Sequence, residues 1–270
     1  MKKLGVIGAG NMGTALVSGM LNKNVLDKGM ITISDFNEGQ AQALAQKTGV
    51  SISPSNAELA ENSEVIMLAV SPGTVPIVAA DIKDRLTKEK IIVSIALGVS
   101  LESLGKLTGN QARLVRCMPN TPALVNEGMT CIAPGPGISD DDRLMLASYF
   151  GAVGMVEFMP EKLLGKITSL TSSSPAYVFM FIEAMADGAV HAGIPRATAY
   201  RLAAQAVLGS ARLLRDTQKH PGELKDSVCS PGGSTIEAVK SLEKSGFRGA
   251  IIEAMVECEK KVEIIAKQGT

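Results

Sequence analysis

The sequence predicts an α/β fold in which a doubly wound sheet precedes an all-helical domain. Up to about residue 160, short apolar runs alternate with helical stretches. This alternation is typical of β-α-β units whose parallel strands are covered on both faces. After residue 160 the strand signals stop, and long Ala-rich helical segments follow. We therefore expect two domains, a sheet domain over residues 1–160 and a helical domain over residues 161–270.

Runs rich in apolar or β-branched residues are the candidate strands, at residues 4–7, 31–34, 65–70, 91–96, 114–117, 129–133 and 153–158. Helical patterns lie between them at residues 13–22, 38–47, 56–61, 74–84 and 101–107. In the second half, Ser174-Pro175 begins a helix, because proline suits the first helical turn. That helix extends to about residue 192, and two more cover residues 197–216 and 248–267.

The first candidate strand leads into a glycine-rich turn that reads Gly8-Ala-Gly10-Asn11-Met12-Gly13. Gly8 permits a tight turn, Gly10 lets the backbone approach a pyrophosphate, and Gly13 lets helix and strand pack closely. An acidic residue, Asp35, follows about 20 residues later, directly after Ser34 at the end of the second candidate strand. This combination predicts a Rossmann dinucleotide-binding domain.

Further cofactor contacts are expected where later strands end, because the carboxyl ends of parallel strands line the nucleotide crevice. The candidate residues there are Ala69, Val70, Ser71, Pro72, Ala96 and Asn120. Each turn alone is also what an ordinary tight βα loop looks like. Their periodic recurrence is the stronger indication of a cofactor site.

Composition excludes several other classes of protein. The chain has 27 basic and 27 acidic residues, 3% aromatic residues and no Trp, so neither a basic face nor stacking rings favour nucleic-acid binding. The four cysteines form no C-x-x-C pair, which is typical of reduced thiols, and two histidines give little basis for a metal site. No uninterrupted apolar run reaches about 18 residues, so we expect a cytoplasmic protein without a membrane span.

The helical half contains the segment AYRLAAQAVLGSA, which is small or apolar on nearly every face. A helix without a polar side is normally buried. The pattern favours burial against a second copy of the chain, in a homodimer through the helical domain. The alternative is a central core helix of a monomer.

A second site is predicted in the stretch HPGELKDSVCSPGGSTIEAV, residues 220–239. Its Pro-Gly-Gly-Ser-Thr loop opens a helix, and free backbone N–H groups at such a start suit a small anion such as a carboxylate. Ser234 and Glu237 match a capping box, so we assign Ser234 mainly to the helix cap and leave Thr235 and the glycine N–H groups for substrate. An ordinary helix corner with a good cap is the alternative.

The sequence shows no evident general acid of the kind that many dehydrogenases use to protonate the substrate oxygen. The helix after Ser174-Pro175 carries no Lys, and His191 lies at its far end. A hydride acceptor that already carries its proton, such as a protonated imine, needs no strong acid from the protein. It does need a hydroxyl near its nitrogen, which the loop at Thr235 offers.

These motifs resemble pyrroline-5-carboxylate reductases from end to end, through GVIGAGNMG, RCMPNTPALVNEG, SSPAYVFMFIEAMADGAVHAGIPR, QAVLGSA and HPGELKDSVCSPGGSTIEAV. The resemblance implies reduction of 1-pyrroline-5-carboxylate to L-proline with NADPH or NADH. It also implies interlocked dimers that often assemble into rings, with helical-domain residues of the partner completing the site. By this resemblance Thr235 faces the substrate nitrogen, the backbone of Ser230, Gly232 and Gly233 holds the carboxylate, and Asn56 lies near the adenosine ribose.

Three positions depart from the family pattern. Ser71 replaces a common Lys in A-V-K-P, Leu97 puts a bulkier side chain in A-A-G near the nicotinamide crevice, and Ser172 replaces a glycine in S-G-S-G-P-A-Y. Since Asp35 repels a 2′-phosphate and no Arg stands nearby, the sequence favours NADH. Two alternatives remain: a β-hydroxyacid dehydrogenase, disfavoured by the missing helix Lys, and a cofactor-binding sensor, disfavoured by the substrate loop.

Overall fold

The computed structural model describes residues 2–268, and the side chains of residues 2–265. Eight strands form one sheet in the order β3-β2-β1-β4-β5-β6-β7-β8. They are β1 (Leu4–Ile7), β2 (Ile31–Ser34), β3 (Ser51–Ile52), β4 (Val65–Leu68), β5 (Ile91–Ser94), β6 (Arg113–Met118), β7 (Gly128–Pro134) and β8 (Gly154–Phe158). The expected doubly wound α/β fold with a helical C-terminal half is confirmed.

Helices cover both faces of this sheet and predominate in the second half of the described chain. They are α1 (Asn11–Asn22), α2 (Glu38–Thr48), α3 (Asn56–Asn62), α4 (Val75–Ile82), α5 (Leu101–Leu107), α6 (Asp140–Gly151), α7 (Glu161–Leu164), α8 (Ser174–His191), α9 (Arg196–Thr217), α10 (Pro221–Ser227), α11 (Ser234–Lys244) and α12 (Phe247–Gln268). The sequence patterns missed β3, α6, α7 and α10.

All strand pairs are parallel except β6 with β7, which is antiparallel. The segment between them contains only the 3₁₀ turn Thr121–Val125. A parallel return needs a crossover of about a dozen residues or more, and this short connection cannot provide one. The direction of β7 therefore follows from the length of the loop before it.

Two apolar layers hold the sheet domain together. On one face, α1 and α6 contribute the fully buried Met20 and Phe150. On the other face, α3, α4 and α5 contribute Leu59, Val78 and Leu104. Each layer packs against alternate strand side chains, as expected for a sheet that is covered on both sides.

A buried carboxylate links three distant segments at the end of the sheet where β1 and β6 begin, opposite the end that carries the glycine loop. Asp142, whose side chain is 4% exposed, forms a capping box with Ser139 and ion pairs with Lys2, at 2.7 Å, and with Arg113. Burial alone would raise the pKa of Asp142, but hydrogen bonds from Lys2 and Ser139 lower it to about 2. Asp142 thereby joins the N-terminus, β6 and α6.

The four cysteines are free. Cys117 on β6 lies opposite Ile132, and Cys131 on β7 lies opposite Met118. Since directly opposed residues share a face and successive residues alternate, the two thiols point to opposite sides of the sheet. Burial raises the pKa of both thiols.

The chain divides into two compact units. One holds the described residues through Ser172 and those from Cys258 onward, and the other is Ser173–Glu257. The functional boundary expected near residue 160 stays a prediction. Within the second unit, α8 packs against α9. Both helices nevertheless keep large apolar side chains exposed, including Phe179, Met180 and Leu208. Across the described part of the chain, no helix is long and apolar enough to cross a membrane.

Candidate active site

The sheet places a cavity of about 540 Å³ at the point where its strand order reverses, beside the carboxyl ends of β1, β2 and β4. Ligands of open α/β sheets bind at such switch points. The sequence-predicted residues that line it are Gly8, Gly10, Asp35, Asn56, Ala69, Val70 and Ser71. The prediction missed Phe36, Gln40, Thr74, Ile77 and Asp81, which line the same cavity.

The glycine turn at the base of this cavity has no room for side chains at two of its three glycines. Gly8 has a φ of +110°, and a Cβ added there would lie 2.3 Å from the carbonyl oxygen of Ala69. A Cβ added to Gly13 would lie 2.1 Å from the carbonyl oxygen of Gly8. Gly10 differs, because a Cβ there would have no atom within 4 Å. The turn thus leaves an open cradle at Gly10, as a dinucleotide pyrophosphate requires.

The N-terminus of α1 faces this cradle. Gly10 is its N-cap, no side chain caps it, and its first turn contains no acidic residue. The first backbone N–H groups of a helix lack partners within the helix, and the helix dipole favours an anion beside them. Asn11 and Met12, which the sequence predicted as cofactor-binding, begin that first turn. Their backbone N–H groups are therefore suited to hold phosphate oxygens.

Asp35 is held rigidly at the end of β2. Its Oδ2 accepts a hydrogen bond from the backbone N–H of Ala9 at 2.6 Å, and its Oδ1 accepts one from Asn37 at 2.8 Å. Each carboxylate oxygen has two lone pairs, so both can still accept a ribose hydroxyl. Asp35 thus couples the glycine turn to the ribose side of the cavity.

Ser34 does not line the cavity but contacts Asn56, which does. It is buried, and its hydroxyl donates to Asn56 Oδ1 at 2.9 Å, while Asn56 Nδ2 donates to Asp81 Oδ2 at 3.0 Å. This chain fixes the amide of Asn56 on the cavity wall.

Two exposed apolar side chains flank the same cavity. Phe36 is 93% exposed and Ile77 is 64% exposed. Exposed apolar side chains on a concave surface are typical of ligand sites, and a flat aromatic base would cover both. The sequence signal for Phe36 was its position, as an aromatic residue in the polar turn that follows Asp35.

Two of the three departures from the family pattern have a visible local structure. The hydroxyl of Ser71 lies 2.8 Å from that of Thr74 across the 3₁₀ turn that Pro72 begins, so two hydroxyls stand where the pattern has an ammonium group. Leu97, the bulkier side chain expected near the nicotinamide crevice, is half-buried against the apolar cluster of Met118 and Leu164. Its neighbour Ala96 is buried among the residues on the α3–α5 side of the sheet.

Asn120 has both ends of its amide engaged within the protein. Its Nδ2 donates to the carbonyl of Thr171 at 2.9 Å, and its Oδ1 accepts from the N–H of Met129 at 2.8 Å. Thr171 belongs to the π-helical turn Thr168–Ser172, which directly precedes α8. Such turns are often found at functional sites. In the same turn, the hydroxyl of Ser172 is buried and has no hydrogen-bond partner among the described residues.

The second predicted site lies in the helical unit, at the start of α11. Gly232 has a φ of +68°, which favours glycine, and the N–H of Gly233 closes a turn by donating to the carbonyl of Ser230 at 3.0 Å. Thr235 is exposed at the second position of the helix. The first-turn N–H groups and the Thr235 hydroxyl therefore share one exposed helix N-terminus, which suits a small carboxylate.

The assignment of Ser234 as helix cap is wrong. Gly233, in an extended conformation, is the N-cap of α11, and no side chain makes a capping hydrogen bond. Ser234 is the first helical residue, so its side chain does not occupy the capping position. The S-x-x-E pattern began one residue too late to form a capping box, and it leaves Ser234 exposed beside Thr235.

Comparisons with known proteins agree along the whole chain. Residues 161–264 match the family model described as pyrroline-5-carboxylate reductase dimerisation, and residues 3–98 match the model described as NADP oxidoreductase coenzyme F420-dependent. The first match assigns a homo-oligomeric assembly to the chain.

Relatives that match nearly the whole chain are pyrroline-5-carboxylate reductases. The chain is 45% identical to the pyrroline-5-carboxylate reductase of Escherichia coli, over 98% of this chain and 99% of that protein. It is 40% identical to the Arabidopsis thaliana pyrroline-5-carboxylate reductase, over 96% of this chain and 94% of the other.

Solved structures lead to the same result. A pyrroline-5-carboxylate reductase from Coxiella burnetii superposes with a TM-score of 0.92 at 32% identity, covering 98% of both chains. The Plasmodium falciparum pyrroline carboxylate reductase, solved with NADP bound, gives a TM-score of 0.87 at 30% identity over 98% of both chains. This chain is an NAD(P)-dependent oxidoreductase and belongs to the pyrroline-5-carboxylate reductase family.

Proposed function

We propose that this chain reduces the C=N bond of 1-pyrroline-5-carboxylate to give L-proline, the last step of proline biosynthesis. The observation that carries the substrate assignment is the exposed N-terminus of α11. It presents Thr235 and the N–H groups that follow Gly232 on one small surface. When bound in the cleft at the glycine turn, the reduced nicotinamide cofactor supplies the hydride.

The loop before α11 and the first turn of α11 hold different parts of the substrate. The backbone around Ser230, Gly232 and Gly233 holds the carboxylate through the N–H groups of the first turn of α11, because a helix N-terminus favours an anion. The N–H of Gly233 itself closes the turn with Ser230. The hydroxyl of Thr235 lies beside the ring nitrogen and fixes its position. The nitrogen of a protonated imine already carries the proton that proline keeps, so the protein supplies no acid. This explains how the reaction proceeds without a Lys or His in the site.

The cofactor is held by the residues of the β1–β2–β4 cavity and the start of α1. Gly8, Gly10 and Gly13 shape the turn, and Asn11 and Met12 present N–H groups to the pyrophosphate. Asp35 accepts the ribose hydroxyls, assisted by Asn56. Because a carboxylate at this place repels a 2′-phosphate, NADH is the preferred cofactor. Asn120 positions the loop after β6 through its two amide hydrogen bonds, and its predicted contact with the cofactor stays a prediction.

The functional unit is a homodimer through the helical domain, and dimers assemble further. The exposed apolar side chains of α8 and α9 support this arrangement, because a second copy would remove them from water. Residues from the partner's helical domain complete each active site. A cytoplasmic location stays a prediction.

Oxidation of NADH in the presence of 1-pyrroline-5-carboxylate tests the substrate assignment, beside a panel of β-hydroxyacids assayed in the oxidative direction with NAD⁺. We expect turnover of the imine and none of the hydroxyacids. Turnover of a hydroxyacid in place of the imine would support the dehydrogenase alternative, and cofactor binding without any turnover would support the sensor alternative.

Thr235→Ala tests the role of the hydroxyl. A hydrogen bond to a charged group contributes about 1.5–3 kcal/mol, so kcat/KM should fall roughly ten- to a hundredfold. Thr235→Ser keeps the hydroxyl and should recover most of this loss. Ser241→Ala removes an exposed hydroxyl further along α11 and should change nothing. Equal kcat/KM values for Thr235→Ala and the wild type would remove Thr235 from the site.

A further inference from the structure

The wall of the cofactor cavity carries a second carboxylate, on a different element from Asp35. Asp81 lies in the last turn of α4 and lines the same cavity as Asp35. Among the described residues that line this cavity, these two are acidic and none is basic. The lining of the cavity therefore carries two carboxylates and, among its described residues, no cationic side chain.

The hydrogen bonds of Asp81 leave that charge in place. Its Oδ2 accepts from Asn56 Nδ2 at 3.0 Å, and an amide carries no charge. Nearby Arg85 pairs with Glu61, at 3.8 Å between Nε and Oε2. Within the described residues, no ion pair involves Asp81. The carboxylate thus faces the cavity without a cationic partner.

Asp81 also fixes the direction of the Asn56 amide. Asn56 Oδ1 takes the hydroxyl proton of Ser34, and Asn56 Nδ2 donates to Asp81. The amide cannot turn its Nδ2 fully toward an added phosphate without giving up the bond to Asp81. Two effects therefore act against a phosphate on the ribose. The charge of Asp81 repels it, and the Asn56 amide N–H that donates to Asp81 is not free to bind it.

We infer that Asp81 is a cofactor-selecting residue that acts together with Asp35 to exclude a 2′-phosphorylated dinucleotide. The inference rests on the proposed NADH preference and extends it to a second carboxylate in the lining of the same cavity. NADH carries only hydroxyls on its adenosine ribose, so the same carboxylate does not repel it. A phosphate monoester carries close to two negative charges at neutral pH and is repelled by both carboxylates.

Asp81→Asn separates the two effects, because the new amide oxygen still accepts from Asn56 while the charge is lost. We expect the Kd for NADPH to fall about tenfold and the Kd for NADH to stay within about twofold of the wild type. Asp81→Ala also removes the acceptor and should weaken NADH binding. The matched control is Asp84→Asn, which removes an exposed carboxylate three positions along the chain that does not line the cavity.

Calorimetric titration of the full-length protein with NADH and with NADPH, in the absence of substrate, gives all of these Kd values. The ratio of the variant Kd to the wild-type Kd for each cofactor tests the role of Asp81. The two wild-type Kd values alone test the NADH preference, so the inference and the proposed preference can fail separately. An unchanged NADPH Kd in Asp81→Asn, an equal change for both cofactors, or an equal gain in Asp84→Asn overturns the inference. A gain for NADPH at Asp81→Asn alone, falling with added salt, supports it.

Discussion

Replacement of Gly10 by Ala separates cofactor binding from folding. Gly10 has a φ of −68°, which alanine adopts freely, and its added Cβ would meet no atom within 4 Å. The stability cost is that of alanine in place of glycine at an N-cap, about 1 kcal/mol or less. The methyl group nevertheless occupies the open cradle where a pyrophosphate approaches the backbone.

The size of the effect follows from that geometry. A phosphate oxygen pushed back by about 1 Å loses most of its hydrogen bonds to the first-turn N–H groups, each of which contributes about 1.5–3 kcal/mol. A loss of about 3 kcal/mol raises the Kd for NADH about a hundredfold. Calorimetric titration measures the Kd, and urea unfolding measures the stability of the same preparation.

Gly13→Ala is the contrasting variant. Its Cβ would lie 2.1 Å from the carbonyl oxygen of Gly8, so the turn must shift, and overpacking of this kind costs about 1–3 kcal/mol of stability. Gly10→Ala should thus bind poorly while folding well, and Gly13→Ala should lose stability. An NADH Kd for Gly10→Ala within about threefold of the wild type would refute the placement of the pyrophosphate.

Three further predictions concern Asn120, Asp142 and the cysteines. Asn120→Asp places an acceptor against the carbonyl oxygen of Thr171, to which Asn120 now donates a hydrogen bond. Hydrogen exchange of the backbone amides in the π-helical turn should therefore accelerate, and kcat should fall while the Kd for NADH stays constant. A changed Kd with unchanged amide exchange would contradict a positioning role. Asp142 has its pKa lowered to about 2, so it stabilises the fold by about 2 kcal/mol above pH 4 and this contribution disappears as the pH falls from about 4 toward 2. In urea unfolding, Asp142→Asn should therefore be less stable than the wild type at pH 7, with a smaller difference at pH 3; an equal difference at both values would contradict the linkage. With a thiol reagent, half-buried Cys229 should react in the native protein and buried Cys117 only on unfolding; equal rates would show that the β6 thiol is open to solvent.

Local sequence patterns predicted the sheet domain well because its strands are short, apolar and regularly spaced. β1 and β2 begin and end at the predicted residues. The two-residue β3 was missed because Ser51 and Ile52 are exposed and form no apolar run. α6 was missed although Ser139 and Asp142 form a true capping box at its start. That signal was present in the sequence and would have located the helix.

The parts that could not be predicted depend on contacts between distant segments. The direction of β7 is set by the loop before it and not by its own apolar run. The role of Asn120 depends on Thr171, which lies far along the chain. Similarly, Asp81 joins the cofactor cavity only because α4 packs against α3, whose first residue, Asn56, donates to it. Residue type and spacing predicted Asp35 because it directly follows a strand. They gave no reason to single out Asp81, which lies at the end of the helix α4.

The most direct test of the central claim is isotope transfer. The full-length protein is incubated with 1-pyrroline-5-carboxylate and NADH that carries deuterium at both nicotinamide C4 positions, and the product is analysed by mass spectrometry and NMR. The account predicts L-proline with one deuterium, on the carbon that was double-bonded to nitrogen. Absence of proline, or proline without deuterium at that carbon, would contradict it.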